Sequence, residues 1–546
     1  MQPLTLVMGQ INPVVGDVAG NVMKIITSAH RARDEFGADM VIYPELTLTG
    51  YPPEDLLLRP GLLKRVNKAL QTLKKHIQGV AVVVGHPDGE VRKELYNAAS
   101  IIDNGDIVGT YFKQKLPNYS VFDEKRYFVE GKEPCVIDFR GIKIGLTLCE
   151  DIWFTEPSLQ AVDAGAELII NLNASPFRSG KWQLREAEVR KRVVETSVPV
   201  IYVNQVGGQD ELVFDGCSFA LNQQGDKVAL AAAFESGLYP ITIRRTEDGK
   251  LQLQGDMTDK EDELAMIYKG LVTGLRDYIQ KNHFPGVVIG LSGGIDSALT
   301  LALAVDAIGV DKVHAVMMPS RYTSEISLDD AKAMAEGLNV QYSLISIEPV
   351  FEQFLHTLSD QFAGLPADTT EENIQARCRG IILMALSNKF GYMVLSTGNK
   401  SEMAVGYSTL YGDMAGGYAP LKDVYKTLVY RLSRHRNQLS PVIPERIITR
   451  PPSAELSEGQ LDQDSLPPYE LLDVILDRYI ADDSCFEDLV EEGYDAEMVA
   501  RVIKMVDRNE YKRRQAPPGI RITSRAFGRD RRYPITSGYT VTSTIE

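Results

Sequence analysis

Residues 287–298 read VVIGLSGGIDSA, and no other stretch of this 546-residue chain restricts its fold as tightly. A short apolar run ends in Ser292-Gly293-Gly294, and Asp296-Ser297 then open a helical pattern over 298–307. A buried strand that turns straight into a helix is the unit of a parallel, doubly wound α/β sheet. Apolar runs at 313–318, 341–345 and 392–396, with helical patterns between them, extend that sheet. The loop itself suits an anion. Paired glycines allow close approach of the backbone, and free N–H groups at a helix start carry partial positive charge. Ser292 and Ser297 add hydroxyl donors. Asp296 would repel phosphate unless a divalent cation sat between them, so it reads as a Mg²⁺ ligand. No lysine follows the glycines, so this is not a Walker A loop. A bare glycine pair at such a turn usually holds no ligand; here strand, glycines, carboxylate and two serines agree.

The first 220 residues carry a second α/β pattern. Strands are expected at 4–8, 40–43, 80–84, 142–148, 168–171 and 198–204, with helices at 21–36 and 182–196. Asn104-Gly105 predicts a hairpin between 98–102 and 107–112, because this pair accepts positive φ. One apolar strand ends at Cys149, in IGLTLCEDIWF. A lone cysteine in such a strand is by default a packing residue, but Glu150-Asp151 follow at once, and backbone N–H groups at a strand end favour a thiolate. Glu45 and Lys113 each lie just past another expected strand end, where active-site groups commonly gather in layered folds. Glu45 suits a proton acceptor for the thiol, and Lys113 a cation for a tetrahedral oxyanion. Taken singly, each has a bland reading as a solvated surface charge.

A chain of this length exceeds one compact core. A polar, turn-rich stretch over 245–262 reads as the linker, giving domains 1–255 and 256–546, the second starting with a helix over 263–282. The 58 basic and 74 acidic residues leave a net charge of −16, which disfavours nucleic-acid binding. No apolar run of 18 residues appears and the start lacks a signal-peptide pattern, so no membrane is expected and a cytoplasmic location is. Five cysteines without a CxxC suit a reducing compartment and no disulfide framework. The final residues, 521–546, are basic and then Ser/Thr-rich, and are expected to be the loosest part.

SGGIDS resembles the signature of the pyrophosphate-loop ATP pyrophosphatases, and ENIQAR at 372–377 with STGNKSE at 396–402 resembles the NAD synthetases among them. That resemblance implies ATP as co-substrate and adenylation of the nicotinate carboxylate of deamido-NAD. It assigns ATP to Gly290, Leu291, Ser292, Gly293, Gly294, Ile295, Asp296 and Ser297, with Thr397, Lys426 and Ser453. It assigns deamido-NAD to Asn373, Glu402 and Lys512, and Mg²⁺ to Asp296 and Glu402. Two positions depart from the ammonia-using members. Ser453 replaces a threonine, and Leu410 stands where they have a phosphate-contacting lysine, so Lys400 or Lys422 is expected to supply that charge.

PEL at 44–46, K-x-x-L-P from Lys113 and CE at 149–150 resemble the nitrilase superfamily over about residues 1–260. This implies an αββα sandwich and amide hydrolysis through a cysteine thioester. Glu124 matches a second glutamate that positions the lysine or the water, and Tyr119, Ser175 and Lys181 match glutamine-holding positions. Together the two halves resemble the glutamine-dependent NAD synthetase family, in which one half liberates the ammonia that the other consumes. A water-poor tunnel from Cys149 to the loop at 292–296 and a homo-oligomer, dimer or larger, are what this resemblance implies. Three rivals stand beside it: a glutamine-dependent ligase acting on another acid, a tRNA-modifying enzyme, and a non-catalytic nucleotide sensor.

Overall fold

A computed structural model describes residues 2–539. The chain divides into two compact units, residues 1–266 and 267–546.

In the first unit, β1 (Leu4–Gln10), β2 (Met40–Ile42), β3 (Ala81–Gly89), β4 (Leu95–Asp103) and β5 (Asp106–Phe112) lie side by side. A second sheet starts from β6 (Val136–Phe139), β7 (Ile142–Leu148), β8 (Leu168–Asn173) and β9 (Val200–Asn204). After a small hairpin of β10 (Val206–Gln209) and β11 (Leu212–Asp215), β12 (Phe219–Leu221) and β13 (Lys227–Leu230) complete that second sheet. β14 (Gly237–Arg245) and β15 (Leu251–Gly255) return to the first, which becomes seven-stranded.

Side-chain alternation along the strands makes the layers. Leu6, Ile42 and Val83 share one core with Leu146, Ile170 and Val203 of the other sheet. The intervening Val7, Val41 and Val82 pack instead with Ile25, Val66 and Leu73 of α1 (Val18–Phe36) and α2 (Pro60–His76). On the far side, Ile169, Val200 and Tyr202 pack with Val189 and Val193, beneath α3 (Thr155–Asp163) and α4 (Lys181–Thr196). The result is the αββα sandwich of the nitrilase-like class. Asn104 (φ +47°) and Gly105 (φ +86°) form the expected hairpin turn.

The stretch 245–262 is not simply a linker. Leu251 and Leu253 are buried while Gln252 and Gln254 are exposed, so LQLQ is an amphipathic edge strand pairing with β14. Its polar half hid it in a composition-based reading.

Helix α5 (Glu263–Lys281) leads into the second unit. There β16 (Val287–Gly290), β17 (Val313–Met317), β18 (Gln341–Leu344) and β19 (Met393–Leu395) form one parallel sheet in the order β18-β17-β16-β19. The strands are connected by α6 (Ile295–Ile308), α7 (Glu325–Gly337) and the pair α8 (Glu348–Leu358) and α9 (Thr369–Phe390), as in an ATP-pyrophosphatase sheet. Strand order reverses beside β16, between β17 and β19. Ligands of open α/β sheets bind at such a switch point, outside the carboxyl ends of the strands. Both SGGIDS and STGNKSE emerge there. Residues 521–531, expected to be loose, are pinned: Ile522 is buried, Arg521 meets Asp530 at 2.8 Å, and Thr523 bonds Asp423 at 2.8 Å. Residues 540–546 of that tail lie outside the described residues.

Candidate active sites

In the first unit the chain turns sharply after β2. Leu46 takes a left-handed φ of +44°, and the turn lies against β3 at Gly85. A Cβ on Gly85 would sit 2.3 Å from the Leu46 nitrogen and 2.8 Å from the Glu45 carbonyl carbon, so only glycine admits this contact. Glu45 is thereby directed inward and is fully buried. Its Oε1 accepts from Lys113 Nζ at 2.7 Å and Asn97 Nδ2 at 2.7 Å, and its Oε2 from the Ala174 amide at 3.0 Å. Lys113, just past β5, also donates to both oxygens of Glu124 at 2.9 and 2.8 Å, and Tyr51 donates to Glu124 at 2.9 Å. Lys115, two residues further on, is half-buried and lies 3.6 Å from Glu156.

Cys149 follows β7 directly, with φ +43°, a conformation rare for a side-chain-bearing residue and found at functional turns. Burial, reinforced by the Glu45 charge, pushes its thiol well above the ordinary range, while Lys113 acts in the opposite sense. At rest the sulfur is therefore a thiol, and any attack by it would need a base. Burial alone would strip Lys113 of its proton, but Glu124 and Glu45 outweigh it and hold the ammonium form. Burial raises Glu124 to about 7 against the pull of Lys113.

The three residues expected to hold glutamine have these partners. Tyr119 donates to Glu150 at 2.9 Å and meets Phe122 edge-on at 5.7 Å, and the Lys181 ammonium lies 5.7 Å from the Phe122 ring. Ser175 follows the Ala174 amide that holds Glu45, and its own amide donates to Asn204 at 2.9 Å. Asn97, Tyr51 and Glu150 were not singled out as partners from sequence. Their partners lie 31 to 73 residues away along the chain, and no local pattern announces them.

In the second unit a cavity of about 280 Å³ opens at the switch point. Its wall includes all of residues 290–297 together with Thr397, Glu402, Lys426 and Ser453. Gly293 has φ +82°, and a Cβ there would meet the Ser327 carbonyl oxygen at 2.5 Å. Ser297 Oγ donates to the Gly294 carbonyl at 2.9 Å and lies 3.1 Å from Ser292 Oγ, fixing the loop's curl. At the start of α6, Asp296 faces two later helices, α10 (Lys400–Val405) and α11 (Lys426–Leu439). Lys426 Nζ donates to Asp296 Oδ2 at 2.5 Å and to Glu402 Oε1 at 3.2 Å, so one cation bridges both carboxylates. Asn399 ties them again, donating to Asp296 at 2.9 Å and accepting from the Glu402 amide at 3.0 Å. Burial lifts Glu402 to about 8 against the opposing charge of Lys426.

Asn373 and Lys512 stand outside the cavity wall. Asn373 accepts from Thr409, a wall residue, at 2.7 Å, and Lys512 donates to the carbonyls of Gly406 and Ser408 at 2.7 and 2.8 Å. Lys400 and Lys422, the expected replacements for a lysine at Leu410, are outside the cavity wall and have other partners. Lys400 is buried on Thr523, Asp423 and the Arg525 carbonyl, and Lys422 donates to the Pro517 carbonyl at 2.8 Å. The cations of the wall are Lys426, Arg379 and Arg450. Arg379 lies on α9 two residues beyond the end of ENIQAR, so that motif does not point to it.

Two family profiles match, one to each unit: carbon-nitrogen hydrolase over residues 5–248 and NAD synthase over 267–516. A protein from Acinetobacter baylyi, named glutamine-dependent NAD(+) synthetase, is 49% identical over 543 residues, covering 99% of both chains. The protein of the same name from Thermotoga maritima is 44% identical over 575 residues, again covering 99% of each. This chain belongs to the glutamine-dependent NAD(+) synthetases. A solved structure of the family member from Acinetobacter baumannii, in complex with ADP, has a TM-score of 0.80 and 46% identity over 99% of this chain and 100% of that one.

In a glutamine-dependent NAD(+) synthetase the contact at Gly85 is open to a direct test. Gly85→Ala forces backbone against backbone, since its new Cβ would meet main-chain atoms of Pro44, Glu45 and Leu46 and no flexible side chain. Displacing Glu45 by about 1 Å is expected to lower glutamate release from glutamine by roughly 10²-fold. Coupled glutamate assay checks this; parent-like release would show that the turn adapts without moving Glu45.

Proposed function

We propose that this chain performs its family's reaction with the residues described above: deamido-NAD⁺ + ATP + glutamine + water → NAD⁺ + AMP + pyrophosphate + glutamate. It is the last step of NAD biosynthesis, a ligase reaction with glutamine as nitrogen donor. The observation that supports this most is one chain carrying both a buried Glu45–Lys113–Glu124 cluster beside Cys149 and a phosphate loop at a sheet switch point.

In the first unit Cys149 attacks the glutamine carboxamide as Glu45 takes the thiol proton. Lys113, held charged between two carboxylates, faces the negative charge that develops on the carbonyl oxygen. Glu45 returns the proton to the departing nitrogen, which leaves as ammonia. Water, deprotonated by Glu45, then cleaves the thioester and yields glutamate. Tyr119, Ser175 and Lys181 hold the amino-acid end, with Lys181 suited to the α-carboxylate.

In the second unit the carboxylate of deamido-NAD displaces pyrophosphate from the α-phosphorus of ATP. The N–H groups of residues 292–297 and the Lys426 ammonium bind the phosphates. Ammonia adds to the acyl-adenylate and AMP leaves, forming the carboxamide. Asp296 and Glu402 form a hard oxygen donor pair already bridged by a cation, which fits Mg²⁺, an ion commonly bound by one or two carboxylates plus phosphates. When bound there it would neutralise charge on the phosphates. Asn373 and Lys512 are assigned to deamido-NAD, Thr397 and Ser453 to ATP.

Ammonia passes from one reaction to the other without exchanging with bulk solvent, where protonation would remove its lone pair. The assembly is a homo-oligomer. Among the described residues no helix is long and apolar enough to cross a membrane. The reaction is tested by offering ATP and ammonium salt with a panel of carboxylic acids. Pyrophosphate release with deamido-NAD and not with amino acids or other nucleotides is expected; release with a different acid alone would overturn the substrate.

A further inference from the structure

Asp151 is fully buried, two residues beyond the nucleophile, and its carboxylate is used by no step above. It accepts four hydrogen bonds. Oδ2 receives the Leu148 amide at 2.9 Å and the Tyr111 hydroxyl at 2.9 Å. Oδ1 receives the amides of Gln114 at 3.1 Å and Lys115 at 2.8 Å. These donors come from two places. Leu148 immediately precedes Cys149, whereas Tyr111, Gln114 and Lys115 flank Lys113 at the end of β5.

We infer that Asp151 is a positioning residue for the glutaminase reaction, a carboxylate bracket that holds the Cys149 turn and the Lys113 segment in register. Three observations support it. The turn it closes is strained, with Cys149 at φ +43°, so something must hold it there. The donors bracket Lys113 on both sides, leaving its side chain free to meet Glu45 and Glu124. Four donors to one buried carboxylate are charge-assisted and mutually oriented, the arrangement that best fixes geometry. Burial pushes Asp151 up to about 6, and the surrounding donors and Lys113 oppose that rise. A packing role alone would not place every donor on the two segments that carry the nucleophile and the oxyanion cation.

The inference rests on the reading of Cys149, Glu45 and Lys113 as the glutaminase centre. Asp151→Asn tests it at nearly constant shape. Whichever oxygen becomes an NH₂ group, two of the four donors lose their acceptor and face another donor. Glutamate release should show kcat lowered by roughly 10²-fold, the effect of about 1 Å of misplacement, with KM for glutamine changed by no more than about 3-fold. Alkylation of Cys149 by iodoacetamide at fixed pH should slow as well. Tyr111→Phe removes one donor and keeps three, and its kcat should fall by about 3- to 10-fold, again without a matching change in KM.

Melting temperature and circular dichroism establish folding. If Asp151→Asn folds, parent-like kcat and alkylation overturn the inference, including the case where only the melting temperature drops. Should Asp151→Asn fail to fold, Tyr111→Phe decides: lowered kcat with KM retained supports the bracket, and unchanged kcat overturns it. Absence of glutamate release from the parent chain itself would instead overturn the underlying reading of the centre.

Discussion

Cys149→Ala is expected to abolish NAD⁺ formation from glutamine, by about 10⁴-fold or more, while synthesis from high ammonium salt persists. The size follows from the chemistry: without sulfur no thioester forms, and the buried Glu45–Lys113–Glu124 cluster has no nucleophile to activate. Persistence follows from the separate location of the phosphate loop, on its own sheet in the second unit. Initial rates with each nitrogen source give the ratio directly. Loss of the ammonium-driven rate in a folded variant would contradict the division of labour.

Asp296→Ala is expected to lower synthesis on the order of 10³-fold with either nitrogen source. Asp296 is held by Lys426 at 2.5 Å and Asn399 at 2.9 Å, and it shares the Lys426 cation with Glu402. Removing it leaves that cation with Glu402 alone and takes away half of the donor pair suited to Mg²⁺. AMP release is the informative readout, because adenylation precedes nitrogen addition. A variant that still releases AMP at the parent rate would count against both the metal assignment and the role of the loop carboxylate.

What could be read from the sequence was local. SGGIDS at 292–297 reveals strand, loop and helix at once, because the phosphate-binding geometry is a property of consecutive residues. Asn104-Gly105 announces its hairpin for the same reason. The LQLQ strand at 251–255 escaped notice because half of its residues are polar, and its burial is evident only once β14 lies beside it. Site residues brought together over distance were also hidden. Asn97 reaches Glu45 across 52 positions and the Ala174 amide reaches it across 129. Lys400 and Lys422 carry the charge expected in place of a lysine at Leu410, but both are drawn into the interior by Asp423 and backbone carbonyls, while Arg379 on α9 lines the cavity. Charge type can be read from a sequence; the direction a side chain takes cannot.

The nitrogen handoff is tested most directly by supplying glutamine labelled with ¹⁵N at its side-chain amide, in the presence of excess unlabelled ammonium, and reading the NAD⁺ carboxamide by mass spectrometry. The account predicts a carboxamide carrying the glutamine label. Unlabelled NAD⁺, formed while labelled ammonium accumulates in the medium, would contradict it.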